Sequence, residues 1–414
     1  MFITKEIQPL EKNIFLATAT THELELSYIR EAFETGWVTT VGANIDEIER
    51  QLAEKTGVKY AVGLSTGTSA LHMCMKLAGV KRGDRVFCSD LTFDATVNPV
   101  VYEGGEQIFI DSERDTWNMD PDALEKAFGL YPDVKVVVLV NLYGTPARLD
   151  EIRAICDRHG AILIEDAAES LGATYKGVQT GTFGSYNALS FNGNKIITGS
   201  TGGMLLTDDE QAAAKVRKWS TQAREKAPWY QHEELGYNYR ISNITAGVVR
   251  GQLPYLEDHI ARKKALYMRY KEGLKGLPVT MNPYLPWSEP NFWLSCMLID
   301  EDAMCRQSRT ATTASYEPEH YKSCPTEILE QMAKHRAEGR PIWKPMSMQP
   351  IYRANLLVTA AGDAKHGSLT EITEDRTDVV GVDLFRRGLC LPSDIKMTEQ
   401  EQDRIIQVIR ACFD

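Results

Sequence analysis

An alternation of short apolar runs with turns and helical stretches constrains this chain more than any other feature. Strand-like runs stand at residues 60–64, 84–88, 107–111, 134–140 and 161–164. The fourth run is continuously apolar, which is typical of a strand covered on both faces. Strands that alternate with helices through short links predict an α/β fold with a mostly parallel sheet flanked by helices.

Polar clusters follow these strands at the points where the strands end. In open parallel sheets, ligands bind beside the carboxyl ends of the strands. The cluster Ser-Thr-Gly-Thr-Ser at 65–69 leads directly into a helix at 70–77. The free N–H groups at the start of a helix bind phosphate, so this turn is a candidate phosphate site. Ordinary capping of the helix by Ser and Thr is the alternative interpretation.

Lys195 lies in a turn of small residues after an apolar run that ends at Ser190 and Phe191. A single lysine in a loop is most often a solvated surface residue. Such a lysine forms a Schiff base when its surroundings tune its amine. The rest of the chain must therefore supply the other parts of a site before Lys195 is assigned a chemical role.

Pyridoxal phosphate bound to a lysine needs four further groups, and the chain has a candidate for each at a predicted strand end. The phosphate needs N–H and hydroxyl donors, the pyridine nitrogen a buried carboxylate, the ring an aromatic neighbour, and the phenolic oxygen a polar neighbour. The candidates are Thr66, Gly67, Thr68 and Ser69 for the phosphate, Asp166 for the nitrogen, Phe93 for the ring and Glu169 for the phenolic oxygen. Their joint occurrence with Lys195 favours a pyridoxal phosphate site.

Composition argues against several other classes of protein. The net charge of −11 is unsuited to a nucleic-acid binder, which needs a basic surface. No apolar run approaches the length of a membrane span, and the N-terminal residues show no signal-peptide pattern, so we expect a cytoplasmic protein. The eight cysteines form no C-x-x-C pair and are predicted to be reduced core residues. The histidines do not cluster, and no metal is expected.

The length of 414 residues suggests two or three domains. The strand–turn–helix alternation ends beyond Met204. A long helix at 256–274 leads into a second group of strand-like pieces, among them residues 292–299 and 388–391. We predict a large α/β domain at 1–250, with an N-terminal helical arm, and a small C-terminal α/β domain at 251–414.

Five motifs in this order resemble the DegT/DnrJ/EryC1/StrS family of pyridoxal-phosphate-dependent sugar aminotransferases. They stand at residues 65–72, 92–96, 165–172, 190–195 and 236–240. The resemblance implies fold type I, with a large seven-stranded sheet domain and a small C-terminal α/β domain. It also implies a homodimer whose active sites lie at the subunit interface.

The resemblance assigns roles to the residues that match the motifs. Lys195 would bind the cofactor covalently and move protons during catalysis. Asp166 would pair with the pyridine nitrogen, and Phe93 would cover the ring. Thr68 and Ser190 would bind the phosphate.

Two residues of the fifth motif would act across the subunit interface. Asn238 would reach the phosphate of the partner's cofactor, and Arg240 would help to hold an anionic substrate. Ordinary interface polarity is the alternative for both residues.

Two C-terminal segments, 290–296 and 340–346, resemble the branch of the family that aminates UDP-linked 4-keto-6-deoxy-N-acetylhexosamines. This implies UDP-2-acetamido-2,6-dideoxy-hexos-4-ulose as substrate, glutamate as amino donor, and a nucleotide amino sugar for polysaccharide, glycan or antibiotic biosynthesis as product. The chain departs from that branch at residues 39–41 and at Ser347. The candidate substrate-binding residues are Trp37, Thr39, Arg240, Trp343 and Lys344.

Three other functions stay open from the sequence. Amination at C3 of a dTDP-linked sugar is the first. A pyridoxal-phosphate-dependent sugar dehydratase is the second, although those relatives carry His where this chain has Lys195. A regulatory protein that binds pyridoxal phosphate is the third, and it would need a DNA-binding segment that is not evident here.

Overall fold

The structure is a computed structural model that describes residues 7–364 and 374–414. Its helices, numbered in chain order, are α1 (Glu23–Glu34), α2 (Ala43–Thr56), α3 (Gly67–Leu77), α4 (Asn98–Tyr102), α5 (Pro121–Leu130), α6 (Leu149–His159), α7 (Glu210–Trp219), α8 (Asn243–Gln252), α9 (Leu256–Gly273), α10 (Pro325–Lys334), α11 (Val380–Arg387) and α12 (Glu399–Ala411). None of the helices in these residues is long and apolar enough to cross a membrane.

The strands are β1 (Tyr60–Leu64), β2 (Arg85–Ser89), β3 (Glu106–Ile110), β4 (Val136–Val140), β5 (Ile162–Asp166), β6 (Thr174–Tyr175), β7 (Val178–Gln179), β8 (Tyr186–Ser190), β9 (Gly203–Thr207), β10 (Val279–Met281), β11 (Ser288–Glu289), β12 (Ser295–Ile299), β13 (Gln307–Arg309), β14 (Ala314–Tyr316), β15 (Arg340–Pro341), β16 (Leu356–Thr359), β17 (Gly362–Asp363) and β18 (Gly388–Leu391). The five strands predicted between residues 60 and 164 correspond to β1–β5.

The large sheet has the strand order β1-β9-β8-β5-β4-β2-β3-β16-β17. The strands from β8 through β16 in this order run parallel, whereas β9 and β17 are antiparallel to their neighbours. The predicted α/β class with a mostly parallel sheet, as in fold type I, is therefore confirmed.

The expected count of seven strands was wrong for this sheet. The first seven strands in the order come from residues 60–207, but β16 and β17 extend the sheet to nine among the described residues. Strand β16 pairs in parallel with β3, so that Leu356 lies opposite Ile108. The boundary at residue 250 stays a prediction, and residues 356–363 of the C-terminal part pack in the large sheet.

Helices cover both faces of the large sheet. Adjacent residues of β4 point to opposite faces: Val138 packs in the cluster that contains Leu71 of α3, and Val137 packs in the cluster that contains Leu124 of α5. All five residues of β4 are buried, which explains why its sequence is apolar without alternation. Helices therefore lie on both sides of β4, and the layers follow the order helix, sheet, helix.

A second sheet, β10-β12-β18-β15, forms the core of the C-terminal part. Its apolar face packs against α9, α10 and α12 through residues such as Leu266, Met297 and Ile405. All eight cysteines are buried and free of disulfide bonds, as the sequence predicted.

Candidate active site

A cavity of about 290 Å³ lies beside the carboxyl ends of β1, β2, β5 and β8. Most of the predicted cofactor residues line it, together with one predicted substrate residue: Thr66, Gly67, Thr68, Phe93, Asp166, Glu169, Ser190, Lys195 and Trp343. The predicted residues that do not line it are Trp37, Thr39, Ser69, Asn238, Arg240 and Lys344. One chain therefore brings together most of the predicted cofactor residues but only one of the predicted substrate residues.

The N-terminus of α3 forms the end of the cavity at which the sequence predicts a phosphate. Thr66 is the N-cap residue, and its Oγ1 accepts a hydrogen bond of 2.9 Å from the Ser69 N–H. The Ser69 Oγ accepts a bond of 3.0 Å from the Thr66 N–H, so Ser69 acts in the cap and faces away from the cavity lining. The N–H groups of Gly67 and Thr68 at the first two helical positions have no partner within the helix, which suits a phosphate.

Gly67 allows this helix end to approach the end of β8. A Cβ atom built on Gly67 would lie 2.8 Å from the Ser190 Cβ and 3.1 Å from its Oγ. A side chain therefore cannot be accepted at residue 67 unless Ser190 moves. The close approach brings the Ser190 hydroxyl and the helix N–H groups to one end of the cavity.

Asp166 is the buried carboxylate of the cavity. Its Oδ2 accepts a hydrogen bond of 2.7 Å from the Thr96 hydroxyl, and its Oδ1 accepts one of 3.0 Å from the Ala168 N–H. Burial raises the pKa of Asp166, while these two bonds and the charge of Lys195 oppose that rise. A protonated pyridine nitrogen is the kind of cation that such a buried carboxylate stabilises, so this residue fits the cofactor.

Lys195 lies between a carboxylate and an indole ring. Its Nζ is 3.7 Å from Glu169 Oε1 and 4.1 Å from the ring centroid of Trp293. Glu169 Oε2 also accepts a bond of 2.6 Å from the Tyr143 N–H. Burial raises the pKa of Glu169 to about 7, and the charge of Lys195 limits the rise.

Two aromatic side chains form another wall of the cavity. The ring centroids of Phe93 and Trp343 lie 5.4 Å apart. The backbone N–H of Trp343 donates a hydrogen bond of 3.0 Å to the Tyr143 hydroxyl, and the ring centroids of these two residues lie 5.1 Å apart. Phe93 remains half exposed, so a face of its ring is available to cover a bound ring.

Arg240 and the predicted substrate residues Trp37 and Thr39 make other contacts within the chain. Arg240 pairs with Glu49, and its Nη1 also donates a bond of 3.0 Å to the Gly63 carbonyl. Trp37 and Thr39 are exposed, and their carbonyl groups accept hydrogen bonds from Asn243. Their roles in binding stay predictions.

Ser347, one of the two departures from the family branch, lies outside the cavity lining. It is fully buried, and its Oγ and N–H donate bonds of 2.8 and 2.7 Å to the two carboxylate oxygens of Asp90. The residue fastens the segment after Trp343 to the end of β2. It therefore does not present its hydroxyl to a ligand in the cavity.

The sequence prediction missed several residues that line the cavity. They are Leu71, Ala95, Ala168, Asn192, Asn194, Thr201, Gly202 and Trp293. Five of them (Leu71, Ala95, Ala168, Asn192 and Asn194) lie within two positions of a predicted site residue, and that proximity in sequence could have identified them. Trp293 lies far along the chain from Lys195, and no spacing pattern connects the two. Among residues 7–364 and 374–414, no three His, Cys, Asp or Glu side chains group as metal ligands.

A lysine, a buried carboxylate and a helix N-terminus at the strand ends of a mostly parallel sheet are the groups that a pyridoxal-phosphate-dependent enzyme of fold type I needs. Residues 19–410 match the model of the DegT/DnrJ/EryC1/StrS aminotransferase family. The chain belongs to this family, and the resemblance inferred from its motifs is confirmed.

Individual relatives agree with this assignment. The chain is 42% identical over 411 residues to EpsN of Bacillus subtilis, named as a pyridoxal phosphate-dependent aminotransferase, with 98% of this chain and 97% of EpsN covered. It is 32% identical to the GDP-perosamine synthase of Caulobacter vibrioides over 93% of this chain and 94% of that protein. A crystal structure of a family member from Brucella abortus superposes with a TM-score of 0.79 at 26% identity, covering 94% of this chain and 95% of that one.

Proposed function

We propose that this enzyme transfers the amino group of glutamate to the keto group of a nucleotide-linked keto-deoxy sugar. The observation that carries this proposal is the position of Lys195 in one cavity with Asp166 and the N-terminus of α3. The similarity to a GDP-perosamine synthase over nearly the whole chain supports a nucleotide sugar as acceptor.

We propose two acceptors, with the favoured one first. The first is UDP-2-acetamido-2,6-dideoxy-hexos-4-ulose, which the C-terminal segments at 290–296 and 340–346 favour by resemblance. The second is a GDP-linked keto-deoxy sugar, favoured by the relative that is 32% identical. Either acceptor would yield a nucleotide amino sugar.

Pyridoxal phosphate, when bound, supplies an electron sink that allows a C–H bond of the amino donor to break. The protein's own residues then hold and move the protons. Lys195 accepts a proton at Nζ and returns it later in the reaction, acting as base and then as acid. Asp166 holds a positive charge at the pyridine nitrogen, and the N–H groups of Gly67 and Thr68 hold the phosphate. Phe93 covers the ring.

We also propose that two copies of the chain share their active sites. Asn238, Arg240 and Trp37 do not line the cavity of their own chain. Exposed aromatic side chains, among them Trp37 and Trp229, lie on the surface of the single chain, as expected for a protein that buries them against a partner. A second subunit would place new side chains at the open side of the cavity.

Replacement of Lys195 tests the assignment most directly. We expect Lys195→Ala to lose both the visible absorbance of covalently held cofactor and the aminotransferase activity. The matched control is Lys176→Ala, because Lys176 is an exposed lysine that pairs with Asp150. A Lys195→Ala enzyme that turned over at the wild-type rate would exclude this role.

The substrate is tested by supplying donors and acceptors in turn. Glutamate should change the absorbance of the holoenzyme, and the correct keto sugar should restore it while an amino sugar accumulates. UDP-, GDP- and dTDP-linked sugars are compared at equal concentration. Loss of a hydroxyl without gain of nitrogen would indicate a dehydratase, and no response to any amino donor would indicate a regulatory protein.

A further inference from the structure

Trp293 contacts the Asn194–Lys195 segment in two ways. Its indole N–H donates a hydrogen bond of 2.7 Å to the Asn194 carbonyl. The face of the same ring lies 4.1 Å from the Lys195 Nζ. One side chain thus fixes the backbone before the lysine and also contacts the end of its side chain.

Trp293 is itself held firmly by buried neighbours. The backbone N–H of Trp293 donates a hydrogen bond of 2.9 Å to the side-chain oxygen of Asn291. Its backbone carbonyl accepts a hydrogen bond of 3.0 Å from the Lys263 ammonium. Asn291 donates in turn to the Glu169 carbonyl at 2.8 Å. These bonds fix the backbone of Trp293, and the indole bond to the Asn194 carbonyl restrains the rotation of its ring.

The backbone next to Trp293 adopts a costly conformation. Phe292 has φ +55°, a left-handed value that is unfavourable for a bulky side chain. Such strain persists where the surrounding structure over-determines it, and it is frequent at functional sites. Phe292 is buried, and its ring packs at 5.0 Å from that of Tyr267, so the packing of the C-terminal part sustains the strained residue.

We propose that Trp293 is a positioning residue that orients Lys195 and stabilises the positive charge formed whenever its amine has taken a proton. The inference rests on the catalytic role proposed above for Lys195. The face of an indole ring attracts an ammonium group, and the attraction is strong here because the Lys195 side chain is 11% exposed. The neutral amine gains little from the ring, so the contact favours the step in which the amine accepts the proton.

The test compares holoenzymes in a single half-reaction with saturating glutamate. Trp293→Leu removes the ring and the N–H donor, and we expect the rate constant to fall about 10-fold, the effect of losing a desolvated cation–π contact. The kinetic isotope effect with α-deuterated glutamate should increase, because proton transfer becomes more rate-limiting. Trp293→Phe keeps an aromatic face and should recover most of the lost rate.

A second measurement does not depend on turnover. Covalent attachment of pyridoxal phosphate to the cofactor-free protein, followed by its absorbance, reports on how well Lys195 is oriented. Trp293→Leu should complete this attachment several-fold more slowly than Trp293→Phe. The matched control is Trp287→Leu, since Trp287 is an exposed tryptophan with a lysine 5.7 Å from its ring. This control should match the wild type in both measurements.

Two results would overturn the inference. A Trp293→Leu enzyme with the wild-type rate and isotope effect would show that the ring does nothing for Lys195. A slow variant with an unchanged isotope effect would assign the ring to folding or binding. If the leucine variant does not fold, a Trp293→Phe enzyme identical to wild type in rate and isotope effect overturns the role of the N–H bond. If the wild-type holoenzyme does not react with glutamate at all, the proposed function itself is contradicted.

Discussion

Glu169 shows how burial and charge determine the behaviour of one residue. It is buried beside Lys195, and its pKa is raised from 4.5 to about 7. A carboxyl group whose pKa is higher in the folded state binds its proton more tightly there than in the unfolded chain. The contribution of Glu169 to the free energy of unfolding is therefore fully present below pH 4.5 and is lost as the pH rises through about 7.

Glu169→Gln should remove this pH dependence from the cofactor-free protein. The glutamine keeps an oxygen for the Tyr143 N–H and carries no charge at any pH. Relative to wild type, the free energy of unfolding of the variant should rise between about pH 4.5 and pH 7, by up to about 3 kcal/mol. Denaturant unfolding of both proteins across this range measures the difference. A difference that did not change with pH would contradict the prediction.

The site residues that could be predicted from the sequence carry a suitable side chain at or just after the end of a predicted strand. Asp166 is the last residue of β5, Phe93 and Lys195 follow β2 and β8, and a parallel sheet brings strand ends together. Trp293 could not be predicted, because its position over Lys195 depends on the packing of Phe292 and on the bond from Lys263. These are contacts between distant parts of the chain, and no local pattern in the sequence encodes them.

At the scale of elements, the packing of α3 against the end of β8 forms the end of the cavity where the phosphate is proposed to bind. The sequence predicted a helix here and a phosphate-binding turn before it. Ser69 was predicted to bind the phosphate, with helix capping as the alternative, and the structure shows Ser69 in the cap. The N-cap bonds between Thr66 and Ser69 depend on where the helix starts, and the structure starts it at Gly67 rather than at residue 70.

Gly67→Ala should weaken cofactor binding. The added methyl group would lie 2.8 Å from the Ser190 Cβ, so the helix end and β8 must separate. Overpacking of this kind costs about 1–3 kcal/mol, and we expect the affinity for pyridoxal phosphate to fall by about 10-fold. Equilibrium dialysis measures the affinity directly.

Gly129→Ala is the matched control for this experiment. Gly129 lies in α5, and a Cβ atom there would contact nothing within 4 Å. Alanine favours a helix more than glycine does, so this variant should bind the cofactor normally and resist unfolding slightly better. Equal loss of affinity in both variants would disprove the clash with Ser190 as the cause.

The C-terminal elements were harder to predict than the first five strands. The apolar run at 292–299 was recognised as strand-like, and it corresponds to β12. Strand β16 was not recognised, because residues 356–359 give only a short apolar run without helical or alternating context. Its partner β3 lies far away in sequence, so the pairing is a property of the folded chain.

At the scale of the whole molecule, the unit of function is proposed to be a dimer. In the single chain Arg240 pairs with Glu49, and Asn238 lies outside the cavity. Sequence resemblance predicted that both act across an interface. Contacts between subunits depend on the shapes of two folded surfaces, so neither the sequence pattern nor the fold of one chain determines them.

Complementation tests the shared site. We expect Lys195→Ala and Asn238→Asp to be inactive as separate enzymes. A heterodimer of the two would hold one site with both native residues, so a statistical mixture should recover about a quarter of the wild-type activity. Co-expression with two different affinity tags isolates the heterodimer. A purified heterodimer with no more activity than either parent would contradict a site shared through Asn238.

The pairing of β16 with β3 also has a consequence for synthesis on the ribosome. Strand β3 is translated early, and its buried segment includes Ile108, Phe109 and Ile110. Until residues 356–359 emerge, one edge of β3 lacks its hydrogen-bonding partner. An unpaired apolar edge is a template for association with other chains. The nascent chain therefore passes through a long interval in which its main sheet is incomplete, and chaperone capture during translation would protect this edge.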